Sequence, residues 1–341
     1  MRMLMLGGSG FVGRATVAEG VRRGWTVAVF NRGRHGAPPD GVRQLVGDRT
    51  TSDGLAALAD GEWDVVVDTW DGAPRDALAG ARMLAGRVGH YVYVSSGSVY
   101  APPVPAGVTE DGAVVDADPA AADGDYPTLK RGSERAVQAV LGDRVLLARA
   151  GLILGPGEDI GRLPWWLTRI ARGGDVLAPG PADLPLQYVD VRDLAVFLLD
   201  AGVSGLGGAV NVIGRPGHAT MGDLLAAAVA ATGADASLRW IAPDRLLDAG
   251  VAPWSEVPIW LPPGHEYRWM QQVDVARAHA AGLVGRPVAD TVADTWEWLR
   301  RVGTVPGRAG RPAREPVGLD PAREAALLAE LATGDPVPAA R

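Results

Sequence analysis

The feature that most constrains the fold is a glycine-rich turn that directly follows the first apolar segment. Gly7, Gly10 and Gly13 have the spacing GxxGxxG in the N-terminal sequence MRMLMLGGSGFVG. Met3–Leu6 predicts a buried strand, and Val12–Gly24 predicts a helix that ends at a glycine. A strand, a glycine turn and a helix in this order are typical of a dinucleotide-binding unit, where the backbone approaches a pyrophosphate at the helix N-terminus. The alternative is a tight strand–helix turn without a ligand.

Further short apolar segments follow through the first part of the chain. They are Thr26–Phe30, Val65–Asp68, Tyr91–Ser95 and Val145–Arg149, and none of them alternates between apolar and polar residues. Parallel strands that are buried on both faces have this pattern. We therefore expect right-handed βαβ units in an α/β fold with a doubly wound parallel (Rossmann) sheet.

The composition changes after about residue 151, where tryptophans and proline-rich loops become frequent. We assign residues 1–160 to a dinucleotide-binding domain whose sheet is completed by about 185–213. Residues 161–184 and 214–302 are assigned to a smaller α/β substrate-binding cap in the C-terminal half. Residues 303–341 are expected to form a linker and a C-terminal helix, which Asp320 and Pro321 begin as N-cap and first-turn residue.

The residues after the second predicted strand bear on the choice of dinucleotide. NAD-binding proteins usually carry an acid here, which binds the adenosine ribose hydroxyls. This chain has Asn31, Arg32 and Arg34 instead. Guanidinium groups bind phosphate with paired hydrogen bonds, so we predict that NADP(H) is preferred over NAD(H). The alternative is that both arginines are solvated loop residues in an arginine-rich chain.

The one lysine of the chain, Lys130, follows Tyr126 by four residues. Two residues with this spacing share one face of a helix. An ammonium about 4 Å from a phenolate in a partly buried cleft stabilises it by about 4 kcal/mol. Such an interaction lowers a phenol pKa of ~10 by up to about three. We therefore predict that Tyr126 acts as an acid/base near neutral pH.

Serine residues follow the strand that ends at Val94. Ser95, Ser96 and Ser98 lie at its carboxyl end, where parallel α/β sheets bind their ligands. A hydroxyl in this place can donate a hydrogen bond to a substrate oxygen. The alternative is that these serines cap the loop.

Together these motifs resemble those of the extended short-chain dehydrogenase/reductase family, in its NAD-dependent epimerase/dehydratase-like branch. The resemblance covers about 300 residues, and its motifs follow one another in the order expected for that family. The matching segments are GGSGFVG at 7–13, Leu45–Asp48, YVSSGSVY at 93–100, Thr109–Asp111, YPTLK at 126–130, RAGLILGPG at 149–157, QYVDVRDL at 187–194 and VNVIG at 210–214.

The resemblance implies a set of site residues. The catalytic residues are Ser96, Tyr126 and Lys130, and Lys130 also binds the nicotinamide ribose. The cofactor-binding residues are Gly7, Gly10, Phe11, Val12, Gly13, Asn31, Arg32, Arg34, Asp48, Thr69, Trp70 and Lys130. Candidate substrate residues are Ser98, Trp165, Trp166 and Trp260.

Three of these positions leave alternatives open. Trp70 stands where the family usually has a small residue, so its ring would crowd the dinucleotide or line the substrate cleft. Pro127 places Tyr126 at the start of its helix rather than within it. The tryptophans of the cap, Trp165, Trp166 and Trp260, form either an aromatic substrate wall or a packed core.

The predicted function is that of an NADP(H)-dependent oxidoreductase. It transfers a hydride between the nicotinamide and a carbonyl or carbinol carbon of a small metabolite, as a reductase or in an epimerase/dehydratase-like reaction. The alternative is a non-catalytic NADP-binding regulator, or a scaffold for RNA or protein with the same fold. The resemblance also implies a homodimer, formed through helices near 76–87 and 127–141.

Charge and composition exclude several classes of function. The 33 basic and 40 acidic residues give a net charge of −7, which argues against nucleic acid or an anionic membrane as a partner. The chain has no cysteine, so thiolate nucleophiles and iron–sulfur clusters are ruled out. Its histidines lack metal-ligand spacing, and we expect no metal. The first apolar run is too short for a signal peptide or a membrane helix, so we expect a cytoplasmic protein.

Overall fold

The strands and helices are taken from a computed structural model that describes residues 1–34, 37–305 and 317–331. The strands are β1 (Arg2–Leu6), β2 (Thr26–Asn31), β3 (Arg43–Val46), β4 (Trp63–Asp68), β5 (Val88–Ser96), β6 (Val145–Ala150), β7 (Ile153–Leu154), β8 (Gly174–Pro179), β9 (Pro185–Leu186), β10 (Val189–Asp190), β11 (Gly208–Val212), β12 (Ala219–Thr220) and β13 (Ala236–Ile241). The α-helices are α1 (Phe11–Arg22), α2 (Ser52–Leu55), α3 (Pro74–Leu84), α4 (Tyr126–Leu141), α5 (Arg162–Ala171), α6 (Val191–Ser204), α7 (Met221–Thr232), α8 (Pro243–Asp248), α9 (Ala276–Ala280), α10 (Val288–Val302) and α11 (Pro321–Leu331). Within these described ranges, no helix has the length and apolar character needed to cross a membrane.

Seven of these strands form one parallel sheet in the order β11-β6-β5-β4-β1-β2-β3. β1 lies between β2 and β4, and its last residue, Leu6, is beside Phe30 on one side and Asp68 on the other. The strand order reverses at β1, so the chain winds outward in both directions from this point. This arrangement confirms the predicted doubly wound α/β fold. Ligands of such sheets bind at the carboxyl ends of the strands, at the reversal.

Helices cover both faces of this sheet. One face of the sheet carries Leu4, Tyr91 and Tyr93, which share an apolar core with α3 and α4. Side chains alternate between the faces of a strand, so the neighbouring strand residues point to the other face, where α1 and α6 pack. Gly20 of α1 and Gly202 of α6 allow close approach there, since a Cβ at either position would lie 3.1 Å or less from side chains of the sheet.

The chain divides into two compact units. The first unit consists of Met1–Leu152, Val191–Ile213 and Val273–Val284 and contains the seven-stranded sheet. The segment Val273–Val284, assigned from the sequence to the cap, belongs to this unit because it is bonded to it. The Asp274 N–H donates to the Val108 carbonyl, and Arg277 donates to two carbonyls next to β11 and within it.

The second unit consists of Ile153–Asp190, Gly214–Gln272 and Gly285–Arg341, of which 285–305 and 317–331 are described. Helices α5, α7 and α10 pack on one another, and β8 pairs with β13 in parallel. The C-terminal helix α11 follows Asp320, which accepts the Ala322 N–H. Its buried Glu324 pairs with Arg169 of α5, which fixes α11 to this unit. The predicted linker residues 306–316 lie outside the described residues.

Candidate functional site

The glycine turn between β1 and α1 has the backbone and the open space that a dinucleotide needs. Gly7 and Gly8 have φ angles of 118° and 85°, which residues with a Cβ adopt only with strain. A Cβ on Gly13 would lie 2.8 Å from the backbone of Gly8, so this glycine lets α1 pack against the turn. A Cβ on Gly10 would meet nothing within 4 Å, and no side chain caps the helix at this residue. The turn therefore presents the first-turn N–H groups of α1, including those of Phe11 and Val12, to an anionic ligand.

Thr69 and Trp70 follow β4 beside this turn and have different orientations. The Thr69 Oγ1 lies 2.7 Å from the position of a Cβ on Gly7, so this residue closes one side of the turn. The Trp70 ring folds back onto its own loop, where its Nε1 donates to the Ala73 carbonyl at 2.9 Å. A Cβ on Gly72 would lie 2.5 Å from the ring. Gly72 therefore makes room for the indole in this loop.

The loop after β2 is ordered by Asn31. Its Oδ1 accepts hydrogen bonds from the Gly33 N–H at 2.8 Å and from the Gln44 side chain at 2.9 Å. Arg32 and Arg34 are exposed in the same loop. Asn31 thus shapes the loop, and the two guanidinium groups are accessible from solvent.

Asp48 follows β3 and carries a stabilised negative charge. Its carboxylate accepts the N–H of Thr50 at 3.0 Å and the Thr50 hydroxyl at 2.8 Å. These hydrogen bonds lower the pKa of Asp48, and the charges of Arg32 and Arg34 lower it further. The carboxylate and the two guanidinium groups therefore share one electrostatic environment at this corner of the sheet.

Tyr126 and Lys130 lie one turn apart on α4, as their spacing predicts. The helix begins at Tyr126, and the Asp125 carboxylate caps it by accepting the Thr128 N–H at 3.0 Å. The Tyr126 side chain is 47% exposed. Its position in the first turn agrees with the placement that Pro127 implies.

Lys130 is buried, with 4% of its surface exposed. Its Nζ donates to the Trp70 carbonyl at 2.6 Å and to the Val94 carbonyl at 2.8 Å. It also lies 4.8 Å from the centre of the Tyr93 ring. The ammonium group is therefore held at the carboxyl end of β5 and just beyond that of β4, at the edge where ligands bind.

Ser96 and Ser98 are joined by their hydroxyl groups. The Ser96 Oγ accepts the Ser98 N–H and donates to the Ser98 Oγ, both at 3.1 Å. Ser96 thereby caps the short turn 97–99, as one of the two interpretations requires. Ser96 is also the last residue of β5, and its role in substrate binding stays a prediction.

A buried ion pair between Arg49 and Asp68 lies next to these residues and was not recognised from the sequence. The Arg49 Nη1 is 3.1 Å from the Asp68 Oδ2, which also accepts the Tyr91 hydroxyl at 2.6 Å. Burial, the largest single influence, lowers the pKa of Arg49, but the charge and hydrogen bond of Asp68 together with the neighbouring Tyr91 and Tyr93 outweigh it and raise the pKa above its ordinary value. The signal in the sequence was an acid that ends the otherwise apolar segment VVVD.

A second buried pair, Glu134 with Arg149, attaches α4 to the sheet. The Arg149 Nε donates to Glu134 at 3.0 Å, and the Ser95 hydroxyl donates to the same carboxylate at 2.7 Å. Glu134 lies one turn after Lys130 on the helix. The sequence signal that could have revealed Glu134 is its spacing of four residues from Lys130, which places this acid on the same buried side of the helix.

The candidate substrate tryptophans lie in the second unit. Trp166 and Trp260 are fully buried, and their indole N–H groups donate to the carbonyls of Pro258 and Gly180. Trp165 is half-buried and packs edge-on against Trp166, with ring centres 4.7 Å apart. The burial of Trp166 and Trp260 favours the packed-core interpretation for these two residues.

Glu158 is a buried acid in the second unit that was not singled out from the sequence. It is 1% exposed and caps α5 by accepting the N–H groups of Arg162 at 2.7 Å and Leu163 at 3.1 Å. Burial raises the pKa of Glu158 to about 7 despite these hydrogen bonds. It follows directly after the segment RAGLILGPG, which carried the resemblance.

The parallel sheet and the glycine turn after β1 are those of the extended short-chain dehydrogenase/reductase class of nicotinamide-dinucleotide-dependent enzymes. The model of the NAD dependent epimerase/dehydratase family matches residues 3–214. The chain belongs to this family, and the predicted resemblance is confirmed.

Solved structures give the same fold. UDP-glucose 4-epimerase of Thermus thermophilus, in complex with NAD, is 21% identical over 88% of this chain and 99% of its own, with a TM-score of 0.61. UDP-glucose 4-epimerase of Thermotoga maritima, with UDP-glucose, is 16% identical over 89% and 100%, with a TM-score of 0.63. At these identities the likeness concerns the fold. No match is found among curated protein sequences.

Proposed function

We propose that the chain is an NADP(H)-dependent oxidoreductase that acts on a carbonyl or carbinol carbon of a small metabolite. The observation that carries this proposal is the position of the Lys130 ammonium at the carboxyl edge of the sheet. It lies on the same helix as Tyr126 and one turn beyond it. The glycine turn at the end of β1 supports the proposal, since the space at Gly10 before α1 is open.

Each residue has a defined task in this proposal. The glycine turn and the first turn of α1 bind the pyrophosphate, and Lys130 binds the nicotinamide ribose. A bound nicotinamide dinucleotide supplies or takes up the hydride. The Tyr126 hydroxyl exchanges a proton with the substrate oxygen, and the Ser96 hydroxyl donates a hydrogen bond to that oxygen. The Lys130 charge favours the phenolate form of Tyr126.

The preference for NADP(H) rests on Arg32 and Arg34. Both are exposed at the end of β2, where a 2′-phosphate would lie, and their charges act on the neighbouring Asp48. Replacing both by alanine is expected to weaken NADPH binding about a hundredfold or more, since hydrogen bonds to charged groups are worth about 1.5–3 kcal/mol each and every 1.4 kcal/mol is tenfold. NADH binding should stay the same.

Titrations of the protein with NADPH and NADH test this preference. Arg43→Ala is the matched control, because Arg43 is also exposed and lies at the start of the adjacent strand β3. Its NADPH affinity should equal that of the unmodified protein. Equal affinities of the unmodified protein for NADPH and NADH would contradict the assignment.

The reaction is tested by following cofactor oxidation or reduction with a panel of substrates. The panel contains UDP-glucose, which is present in the Thermotoga maritima structure, together with carbonyl compounds that lack a nucleotide. Tyr126→Phe should abolish turnover, whereas Tyr267→Phe should keep it. The two side chains are 47% and 46% exposed, so they form a matched pair. Full turnover by Tyr126→Phe would show that the proton is exchanged elsewhere.

A further inference from the structure

Trp70 is fixed at every polar atom that it has. Its backbone N–H donates to the Asp68 Oδ1 at 3.0 Å, and its indole Nε1 donates to the Ala73 carbonyl at 2.9 Å. The Arg49 guanidinium lies 4.7 Å from the centre of the indole ring. The remaining polar atom, the carbonyl oxygen, accepts hydrogen bonds from the Tyr93 hydroxyl at 2.8 Å and from Lys130 at 2.6 Å.

These contacts connect two buried cations. Arg49 is held by Asp68 at one end, and the Lys130 ammonium is held by the Trp70 carbonyl at the other end. Both cations are nearly excluded from solvent. A buried ammonium needs aligned dipoles to replace its hydration, and here the dipoles are those of the carbonyls of Trp70 and Val94. The Trp70 peptide therefore supplies one of the carbonyls that hold the ammonium in place.

We propose that Trp70 is a positioning residue for Lys130, and that the Arg49–Asp68 pair and the Tyr93 hydroxyl hold its peptide in the orientation that this task requires. The inference rests on the proposed function, in which the Lys130 charge acts on Tyr126. It gives the bulky residue after β4 a role that its side chain alone does not explain. The indole anchors the loop, and the carbonyl of the same residue binds the ammonium.

The test measures the ionisation of Tyr126 by ultraviolet titration of tyrosinate, without cofactor or substrate. Subtracting the titration of Tyr126→Phe from that of the unmodified protein isolates the Tyr126 phenol. The measurement is repeated with Trp70→Phe, which lacks the bond to the Ala73 carbonyl and has a smaller ring under Arg49. A longer separation between the ammonium and the phenol weakens their interaction and is expected to raise the apparent pKa of Tyr126 by about 0.5–1.

Trp63→Phe is the matched control. Trp63 is a buried tryptophan at the opposite end of β4, so its replacement removes the same atoms without touching the Trp70 loop. The Tyr126 titration of this variant should coincide with that of the unmodified protein. Tyr93→Phe is the second variant, because it removes one hydroxyl and keeps the ring beside Lys130. It should raise the apparent pKa of Tyr126 in the same direction as Trp70→Phe.

The outcomes separate the two proposals. If Tyr126 titrates near ~10 in the unmodified protein, Lys130 does not act on it, and the proposed function and the positioning role both fail. If Tyr126 titrates well below this value in the unmodified protein and equally low in Trp70→Phe and Tyr93→Phe, the proposed function stands and the positioning role of Trp70 is refuted. A rise in both variants but not in Trp63→Phe supports it.

Discussion

Replacement of Glu158 by glutamine is expected to change how the stability of the protein depends on pH. Burial raises the pKa of Glu158 from an ordinary value of 4.5 to about 7 in the folded protein. The difference of about 2.5 corresponds to about 3 kcal/mol, because each pKa unit is worth about 1.36 kcal/mol. Glutamine has the same shape and can still accept a hydrogen bond at the start of α5, but it does not ionise.

The direction of this effect follows from which state loses its proton first. Between about pH 4.5 and about pH 7 the unfolded chain ionises at Glu158 while the folded protein keeps the neutral acid. The folded protein therefore loses up to about 3 kcal/mol of stability relative to Glu158→Gln over this range. Above about pH 7 both states are ionised, and the difference between the two proteins stays constant.

The assay is urea unfolding followed by tryptophan fluorescence at several pH values between about 5 and 8. The signal reports the second unit, which contains eight of the eleven tryptophans. Glu297→Gln is the control, because Glu297 lies on α10 of the same unit and its side chain is 69% exposed. This control should keep the pH dependence of the unmodified protein. Parallel stability curves for Glu158→Gln and the unmodified protein would refute the reasoning.

Three further predictions concern the first unit. Glu134→Gln removes a buried charge from the pair with Arg149 and should lower the free energy of unfolding by about 3–5 kcal/mol. Glu62→Gln, which removes the exposed Arg2–Glu62 pair, should lower it by less than about 1 kcal/mol. Similar urea midpoints for Glu134→Gln and Glu62→Gln would contradict this prediction. Gly10→Ala should unfold like the unmodified protein and bind NADPH more weakly, because its Cβ enters the open space before α1. Gly13→Ala should bind NADPH more weakly and also lose stability, since its Cβ would lie 2.8 Å from the Gly8 backbone. Unchanged NADPH affinity in Gly10→Ala would argue against a pyrophosphate at this turn.

The sheet and its glycine turn were predictable because local patterns encode them. Segments such as Thr26–Phe30 and Val145–Arg149 are apolar on both faces, and each became a strand within one residue of its predicted bounds. The i, i+4 spacing of Tyr126 and Lys130 similarly needs only a helix. Such features depend only on residues that are close together in the chain, so they can be predicted from a single sequence.

The partners of the buried charges were not predictable in the same way. Arg49 and Asp68 are 19 residues apart, and their pairing depends on how the loop after β3 returns to β4. The orientation of the Trp70 ring likewise depends on Gly72 and on the backbone carbonyl of Ala73, and neither contact leaves a recognisable pattern in the sequence. The burial of Trp166 and Trp260 depends on how the second unit packs, and no short sequence motif encodes that packing. Contacts of this kind follow from the assembled fold.

The scarcity of lysine in the chain has a practical consequence for work in solution. Protein grown with isotopically labelled lysine carries the label at one residue, Lys130, in the middle of the candidate site. A single nuclear magnetic resonance signal then reports the surroundings of that ammonium, without any assignment experiment. A change in this signal on addition of a dinucleotide would reveal occupancy directly, before any substrate is known.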